Sequence, residues 1–198
     1  MPKEPQKEQE NDKQDKSASF ATNELLKSRS VIISGEITQT LAEKVIAQLL
    51  ILQEMGDEPI KLFINSQGGH VEAGDTIHDM IKFVKPKVLV IGTGWVASAG
   101  ITIYLAADKQ DRYSLPNTRF MIHQPLGGVQ GPATDIQIEA NELLRIRTRI
   151  NKLISEATGQ PLTKVVEDTD RNYWMTPEQA IDYGIASHLV THWDDLAA

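Results

Sequence analysis

The sequence predicts an α/β fold built on a parallel sheet, and three observations carry that expectation. Short apolar runs at Val31-Ile32-Ile33, Ile60-Lys61-Leu62-Phe63-Ile64 and Val88-Leu89-Val90-Ile91 read as strands, the last as a fully buried one. The segments between them place apolar residues at helical spacing. Glycine or proline punctuates the junctions. Strands alternating with amphipathic helices imply right-handed βαβ units and hence parallel pairing. With 198 residues, 40% hydrophobic and 24% charged, the chain fits a single domain able to bury a substantial core.

Taken in order, residues 1 to 18 have no large apolar side chain after Met1 and read as a flexible charged tail; the domain is expected over 19–198. The strand Val31–Ile33 is closed by Ser34-Gly35. Thr40 and Glu43 form a capping-box pattern ahead of Leu41, Val45, Ile46, Leu49 and Leu50, and Gly56 stops that helix. After Ile60–Ile64 comes the polar stretch Asn65-Ser66-Gln67-Gly68-Gly69, read as a loop. A helix from about Glu72 to Val84 turns Ile77, Met80, Ile81 and Val84 inward and ends at Lys85-Pro86. The buried strand Val88–Ile91 follows, then a short buried helix over Ile101–Ala107. Phe120-Met121-Ile122 is a strand that delivers His123, and the glycine-rich run 124–131 cannot be an ordinary core element. A long helix runs from about Ala133 to Ala157, with Thr134 and Gln137 as its capping pair and Gly159 as its stop. Its apolar residues lie outside the βαβ series and point to an oligomer contact. Thr176-Pro177 opens a last helix that Gly184 closes, and Ile185–Val190 is the final strand.

The net charge of −7 argues against nucleic acid or anionic membrane as the main partner. The chain has no cysteine, which excludes disulfides and thiolate metal sites. It shows neither a signal-peptide core nor an apolar run long enough to span a bilayer, so a cytoplasmic protein is expected.

The chemistry centres on Gly92-Thr93-Gly94-Trp95-Val96-Ala97-Ser98-Ala99-Gly100. Ser98 stands among small residues between a strand end and a helix start, where its hydroxyl is approachable and helix N–H groups face the same space. The same run also reads as a small-residue turn for close packing. Acyl transfer needs a base, and five histidines are available: His70, His78, His123, His188 and His192. His123 ends an apolar strand, and the carboxyl ends of parallel strands form the ligand crevice. Ser98, His123 and Gly68-Gly69 all fall at that edge.

Several segments together resemble the proteolytic subunit of the ATP-dependent Clp protease, over about residues 24 to 192. They are Ile64-Asn65-Ser66-x-Gly68-Gly69, Ala97-Ser98-x-Gly100, Leu115-Pro116-Asn117, Met121–Gly128, Ala133–Ile136 and Thr158-Gly159-Gln160. The resemblance implies a serine peptidase of crotonase-like spiral fold, with a long handle helix within about 124–158. It implies heptameric rings, stacked in pairs around the active sites, and an AAA+ ATPase that feeds in unfolded polypeptide. It makes Ser98 the nucleophile, His123 the general base, and the N–H groups of Gly69 and Ala99 the oxyanion donors. Asp170-Arg171 matches a pair that couples ring contact to site order.

The chain departs from the family pattern where it matters chemically. The pattern D-T-x-R-D is here Asp168-Thr169-Asp170-Arg171-Asn172, so the third triad member is Asn172. Asparagine can orient an imidazole but cannot stabilise an imidazolium by charge. His70, Trp95, Val96, Gln67 and Pro132 also differ from the usual residues, and Lys61 replaces a common docking-pocket aromatic. The charged tail stands where an apolar pore loop is usual. The expectation is a weak peptidase that works with a second, paralogous subunit; the alternatives are a catalytically silent ring subunit and a crotonase-type acyl-CoA enzyme. No metal or organic cofactor is expected, and ATP would be used by the partner, because no phosphate-binding glycine loop with Lys-Ser/Thr occurs.

Overall fold

Alternation along the strands decides the layers. The protein is described over residues 21–196 by a computed structural model, so the expected tail at 1–18 lies outside the described residues. Strands β1 (Ser30–Ile37), β2 (Ile60–Gly69), β3 (Val88–Ala97), β4 (Arg112–Ser114) and β7 (His188–Leu189) lie side by side in that order, all parallel. Val31, Ile33, Ile60, Leu62, Ile64, Val88 and Val90 point to one face and join the main core with the helices. Leu89 and Ile91, although equally buried, point to the other face and form a separate cluster with Tyr113 and Val190. The run Val88–Ile91 is therefore buried on both faces, as its composition predicts, but in two cores.

The polar stretch Asn65–Gly69 is not a loop. It is the second half of β2. The pairing register shifts between Ser34 and Glu36 on β1 and between Ile64 and Ser66 on β2, where β3 advances from Gly92 to Val96. These aligned irregularities bend three strands at one level. Beyond the bend β3 leaves β4 and pairs in parallel with β5 (Arg119–Ile122), which carries the antiparallel β6 (Tyr173–Met175). Strands that cross a bend need glycine and small polar residues, and that composition imitates a loop.

On the core face lie α2 (Gln39–Met55), α3 (Val71–Phe83) and the fully buried α4 (Ala99–Tyr104), with α1 (residues 21–27) ahead of β1. The N-cap of α2 is Thr38, whose hydroxyl accepts from Leu41 N, two residues before the expected Thr40. The long helix α5 (Ala133–Thr158) forms with Gly159 as its left-handed stop, but Pro132 starts it and no side chain caps it. Gln137 instead donates along the helix to Asn141. Ile150 and Ile154 join the core while Ile136, Ile138 and Leu144 are exposed, so the first half of α5 projects from the body. Two short elements escape sequence reading, α6 (Leu162–Asp168) and β6, as does β4. The last helix, α7 (Pro177–Tyr183), has the expected Thr176 cap, completed by Gln179, whereas the final strand shrinks to two residues.

Two helix-ending glycines give a paired test. Gly159 and Gly184 both adopt positive φ, +82° and +94°. A Cβ on Gly159 meets open space, but one on Gly184 would lie 2.4 Å from the carbonyl oxygen of Thr158. Gly159→Ala carries left-handed strain alone, about 1–2 kcal/mol, and should lower the melting temperature by about 2–8 °C. Gly184→Ala adds a backbone clash and should lower it clearly further at the same protein concentration; equal losses in calorimetry would contradict this packing.

Candidate active site

Ser98 and Arg29 are the non-glycine residues with positive φ among the described residues. Ser98 sits at φ 56°, ψ −122°, a conformation that costs on the order of 1–3 kcal/mol in a side-chain-bearing residue. Its surroundings hold it there. Ser98 N donates to Met121 O at 3.0 Å, which ties it to β5, and Ser98 O accepts from Ile101 N at 2.9 Å, which starts α4. Gly68 presses on it from β2: a Cβ there would stand 2.5 Å from Ser98 Cβ and 3.0 Å from its Oγ. Although Ser98 occupies the N-cap of α4, its hydroxyl makes no capping bond. Its Oγ lies 2.7 Å from His123 Nε2.

His123 follows β5, and the antiparallel register determines what faces it. Phe120, Met121 and Ile122 pair with Met175, Trp174 and Tyr173, so one step further out His123 meets Asn172. The distance from His123 Nδ1 to Asn172 Oδ1 is 3.1 Å. An amide oxygen at Nδ1 requires the N–H there, which leaves Nε2 unprotonated to accept from the Ser98 hydroxyl. Partial burial of the imidazole lowers its pKa below the usual 6.5, and the hydrogen bond it donates to Asn172 opposes this only in part. The ring is thus held neutral, in one tautomer, against a serine hydroxyl.

The loop that carries Asn172 is itself anchored. Gln124 N donates to Thr169 O at 2.6 Å, and the Gln124 amide donates to Asp170 O at 2.7 Å. Thr169 is fully buried, with its hydroxyl 2.9 Å from Asn151 Oδ1 on α5. Gln124, Thr169 and Asn151 were not legible as support residues, although Gln124 directly follows His123. The nearby carboxylates are engaged elsewhere. Asp168 accepts from Lys164 and from the Tyr183 hydroxyl, at 2.8 and 2.7 Å. Asp170 faces Arg147 at 3.3 Å, whereas Arg171 Nε stands 3.9 Å from it and Arg171 is exposed.

Gly69 extends β2 against β1 so closely that a Cβ would lie 2.2 Å from Ile37 O. It lines a cleft of about 730 Å³ between the end of β2 and the segment Pro125–Val129, with α5 as its far wall. Through Val71 and Pro125 this cleft meets a smaller apolar pocket that contains Ser98, Ala99 and His123 beside Ile101, Ile122 and Ile150. Ala99 opens α4, so its N–H has no acceptor within that helix. The other histidines stand apart: His70 occupies the N-cap position of α3 at the cleft without a capping bond from its side chain, His78 bonds Thr102 O from within the core, His188 stacks on Tyr113, and His192 precedes the C-terminal turn. No helix among the described residues is long and apolar enough to cross a membrane.

Chemically, the arrangement offers a serine hydroxyl bonded to a neutral, oriented imidazole, with an open peptide-sized cleft beside it. Gly68→Ala tests it. The added methyl must move Ser98, and a displacement near 1 Å costs about 100-fold in reaction rate. Modification of Ser98 by a fluorophosphonate should slow by that order while the far-ultraviolet circular dichroism stays unchanged.

Comparison with known proteins places these residues in context. The Clp protease family model matches residues 13–192. ATP-dependent Clp protease proteolytic subunit 3 of Rhizobium meliloti is 59% identical over 84% of this chain and 86% of its own length. The subunit 3 of Rhizobium etli is 56% identical over 87% and 89%, and subunit 2 of Pseudomonas aeruginosa is 50% identical over 83% and 82%. Among solved structures, ClpP1 from Listeria monocytogenes superposes with a TM-score of 0.82 at 58% identity, covering 89% of this chain and 99% of that one. An asparagine-to-aspartate mutant of it gives 0.84.

Proposed function

This chain belongs to the Clp protease family and is a serine peptidase of the proteolytic-subunit type, and from that premise we propose that Ser98, His123 and Asn172 form its catalytic triad. The observation that carries the proposal is the continuous chain of contacts from Ser98 Oγ to His123 to Asn172 Oδ1. His123 Nε2 takes the hydroxyl proton as Oγ attacks the scissile carbonyl, forming the C–O bond of a tetrahedral intermediate. The N–H groups of Gly69 and Ala99 donate to its oxyanion. As the C–N bond breaks, His123 passes its proton to the leaving amine. Water then attacks the acyl-enzyme, its proton moves to His123 Nε2, and the Ser98 hydroxyl is restored.

Asn172 orients the ring but adds no charge. At this role an aspartate-to-asparagine exchange in a serine protease costs roughly 10⁴ in turnover when the amide also selects the wrong tautomer, about 5 kcal/mol of barrier, which is an upper bound for an asparagine whose oxygen faces Nδ1. We therefore read the chain as a slow peptidase, helped in a mixed assembly by a paralogous subunit. The subunit numbers 2 and 3 in the relatives' names fit chains that occur as paralogues. Stacked heptameric rings, an AAA+ partner that supplies unfolded polypeptide and consumes the ATP, a cytoplasmic location, no cofactor in the peptidase and a ring-coupling role for Asp170 and Arg171 complete the proposal. The exposed Ile136, Ile138 and Leu144 of α5 support self-assembly. A catalytically silent ring subunit is the second reading, and the uncharged Asn172 is what favours it.

Fluorophosphonate labelling separates the two. The purified full-length chain should label slowly, Ser98→Ala should not label, and Asn172→Asp should label faster by orders of magnitude. An assembled protein that labels in neither form is a silent subunit.

The pH dependence has a definite sign. Acylation needs neutral His123, whose pKa lies below 6.5, so the labelling rate should hold as pH falls through 6.5 and decline only at lower pH. Asn172→Asp places a negative charge beside Nδ1 and favours the imidazolium, so its rate should fall at a higher pH than the parent's.

A further inference from the structure

The cleft beside Ser98 carries more charge than peptide hydrolysis requires. Its volume is about 730 Å³, and four carboxylates line it: Glu36 from β1, Glu72 from α3, and Glu139 and Glu142 from α5. Among the described residues no lysine or arginine lines it, and His70 is the one other titratable group on its walls. Of the four, only Glu142 has an ion-pair partner among the described residues, the mostly exposed Arg145 at 3.1 Å. Arg147 and Arg149, further along α5, are engaged with Asp170 and Asp75. Glu72 stands in the first turn of α3, whose N-terminus carries about half a positive charge. That leaves the cleft strongly negative. Between the carboxylates the surface is apolar, because Val71, Leu126, Leu143 and Ile146 face the same space. Glu139, Leu143 and Ile146 follow one another at helical spacing, so one face of α5 presents both kinds of side chain. Another wall, residues 125–129, makes no backbone hydrogen bond among the described residues.

Two independent features meet in this cleft. Peptide groups without partners hold a backbone whatever its sequence, and unpaired carboxylates over an apolar floor choose among side chains. Lysine and arginine match that floor and rim, because each lays an apolar stem along the surface and keeps its charge at the edge. A wholly apolar side chain gains nothing from the carboxylates, and an acidic one is repelled by them. We propose that Glu36, Glu72 and Glu139 are specificity-determining residues, which make the cleft select polypeptide segments carrying lysine or arginine near the bond that Ser98 attacks. The inference rests on the reading of this cleft as the place where substrate meets Ser98. A cleft lined by charge of one sign focuses the field inside it, so removing two carboxylates there acts more strongly than removing two elsewhere on the surface.

The test measures binding without turnover. Full-length Ser98→Ala protein is titrated into three fluorescein-labelled peptides of alanine, serine and leucine that differ only at two central positions, filled by lysine, norleucine or glutamate. Fluorescence anisotropy should show the lysine peptide bound about tenfold tighter than the norleucine peptide, and the glutamate peptide bound weakest. Adding Glu36→Gln and Glu72→Gln should bring the lysine-to-norleucine ratio within about threefold. Glu43→Gln with Asp79→Asn, at exposed positions away from the cleft, should keep the ratio near its starting value. Equal affinity for the lysine and norleucine peptides would overturn the proposal. So would an equal loss in the two double variants, which would make the preference a matter of net charge. No binding of any peptide by a protein whose circular dichroism matches the parent would overturn it together with the reading of the cleft as a substrate site. Fluorophosphonate labelling of the parent chain is read in parallel: an unlabelled Ser98 counts against the serine chemistry alone, because the anisotropy still decides what the cleft selects.

Discussion

The bend across β1, β2 and β3 is the constraint on which the site depends, and two side chains satisfy it. Ser66, 1% exposed, donates its hydroxyl to Gly35 O at 2.5 Å and accepts from Gly68 N at 3.0 Å. Asn65 Oδ1 accepts from Trp95 N at 3.1 Å. Each strand leaves backbone groups without ladder partners at the bend, and an unmet buried donor or acceptor costs about 1–3 kcal/mol. Asn65 and Ser66 supply the missing partners. Gly94, at φ +60°, fits here because a Cβ would lie 2.5 Å from Asn65 Oδ1. Beyond this level β2 delivers Gly68 against Ser98, and β3 is free to take β5 as its neighbour. Straight strands would put none of these groups in contact.

This explains which parts of the molecule were legible. Helix stops at Gly159 and Gly184 and the Thr176 cap follow from local rules that tertiary packing does not override, whereas on α2 Val45 and Leu49 are buried as expected but Leu50 is exposed and Ala42 and Leu52 take the inward face. The bend inverts those rules: glycines and polar residues signal a loop, yet Asn65–Gly69 is strand because side chains replace the missing ladder bonds. Ser98 and His123 stand out as residue types at strand ends. Asn172 is visible only as a motif position, since its approach to His123 comes from three antiparallel pairs in a strand too short and too exposed to show a pattern. The anchoring of its loop through Thr169 and Asn151 joins residues 18 apart in sequence that only the fold brings together.

The same strands carry the candidate site at one end and the apolar cluster of the reverse face toward the other. Phe63 and Gly68 are both on β2, five residues or about 16 Å apart, and Ile91 precedes Ser98 by seven residues along β3 and its end. Asn65, Ser66 and the irregular part of β3 lie between. The reverse face carries one short turn, while the core face is covered by three helices. The bend itself is held by buried hydrogen bonds.

The uncharged third residue makes the site asymmetric along the reaction. In the resting state Asn172 serves as well as a carboxylate would, because a neutral imidazole needs only an acceptor at Nδ1 to fix its tautomer. The difference arises as His123 takes the proton. The imidazolium then forms in a half-buried place whose desolvation already disfavours charge. Asp168 does not answer that charge, because Lys164 and Tyr183 hold it, and Arg147 engages Asp170. On the proposed triad the loss would fall on the transition state and spare the ground state, limiting turnover more than substrate binding. With that triad, the cost of protonating His123 would limit turnover while the placement of the serine and the imidazole is kept. Any contact that brings negative charge toward His123 Nδ1 would raise its rate without rearranging it.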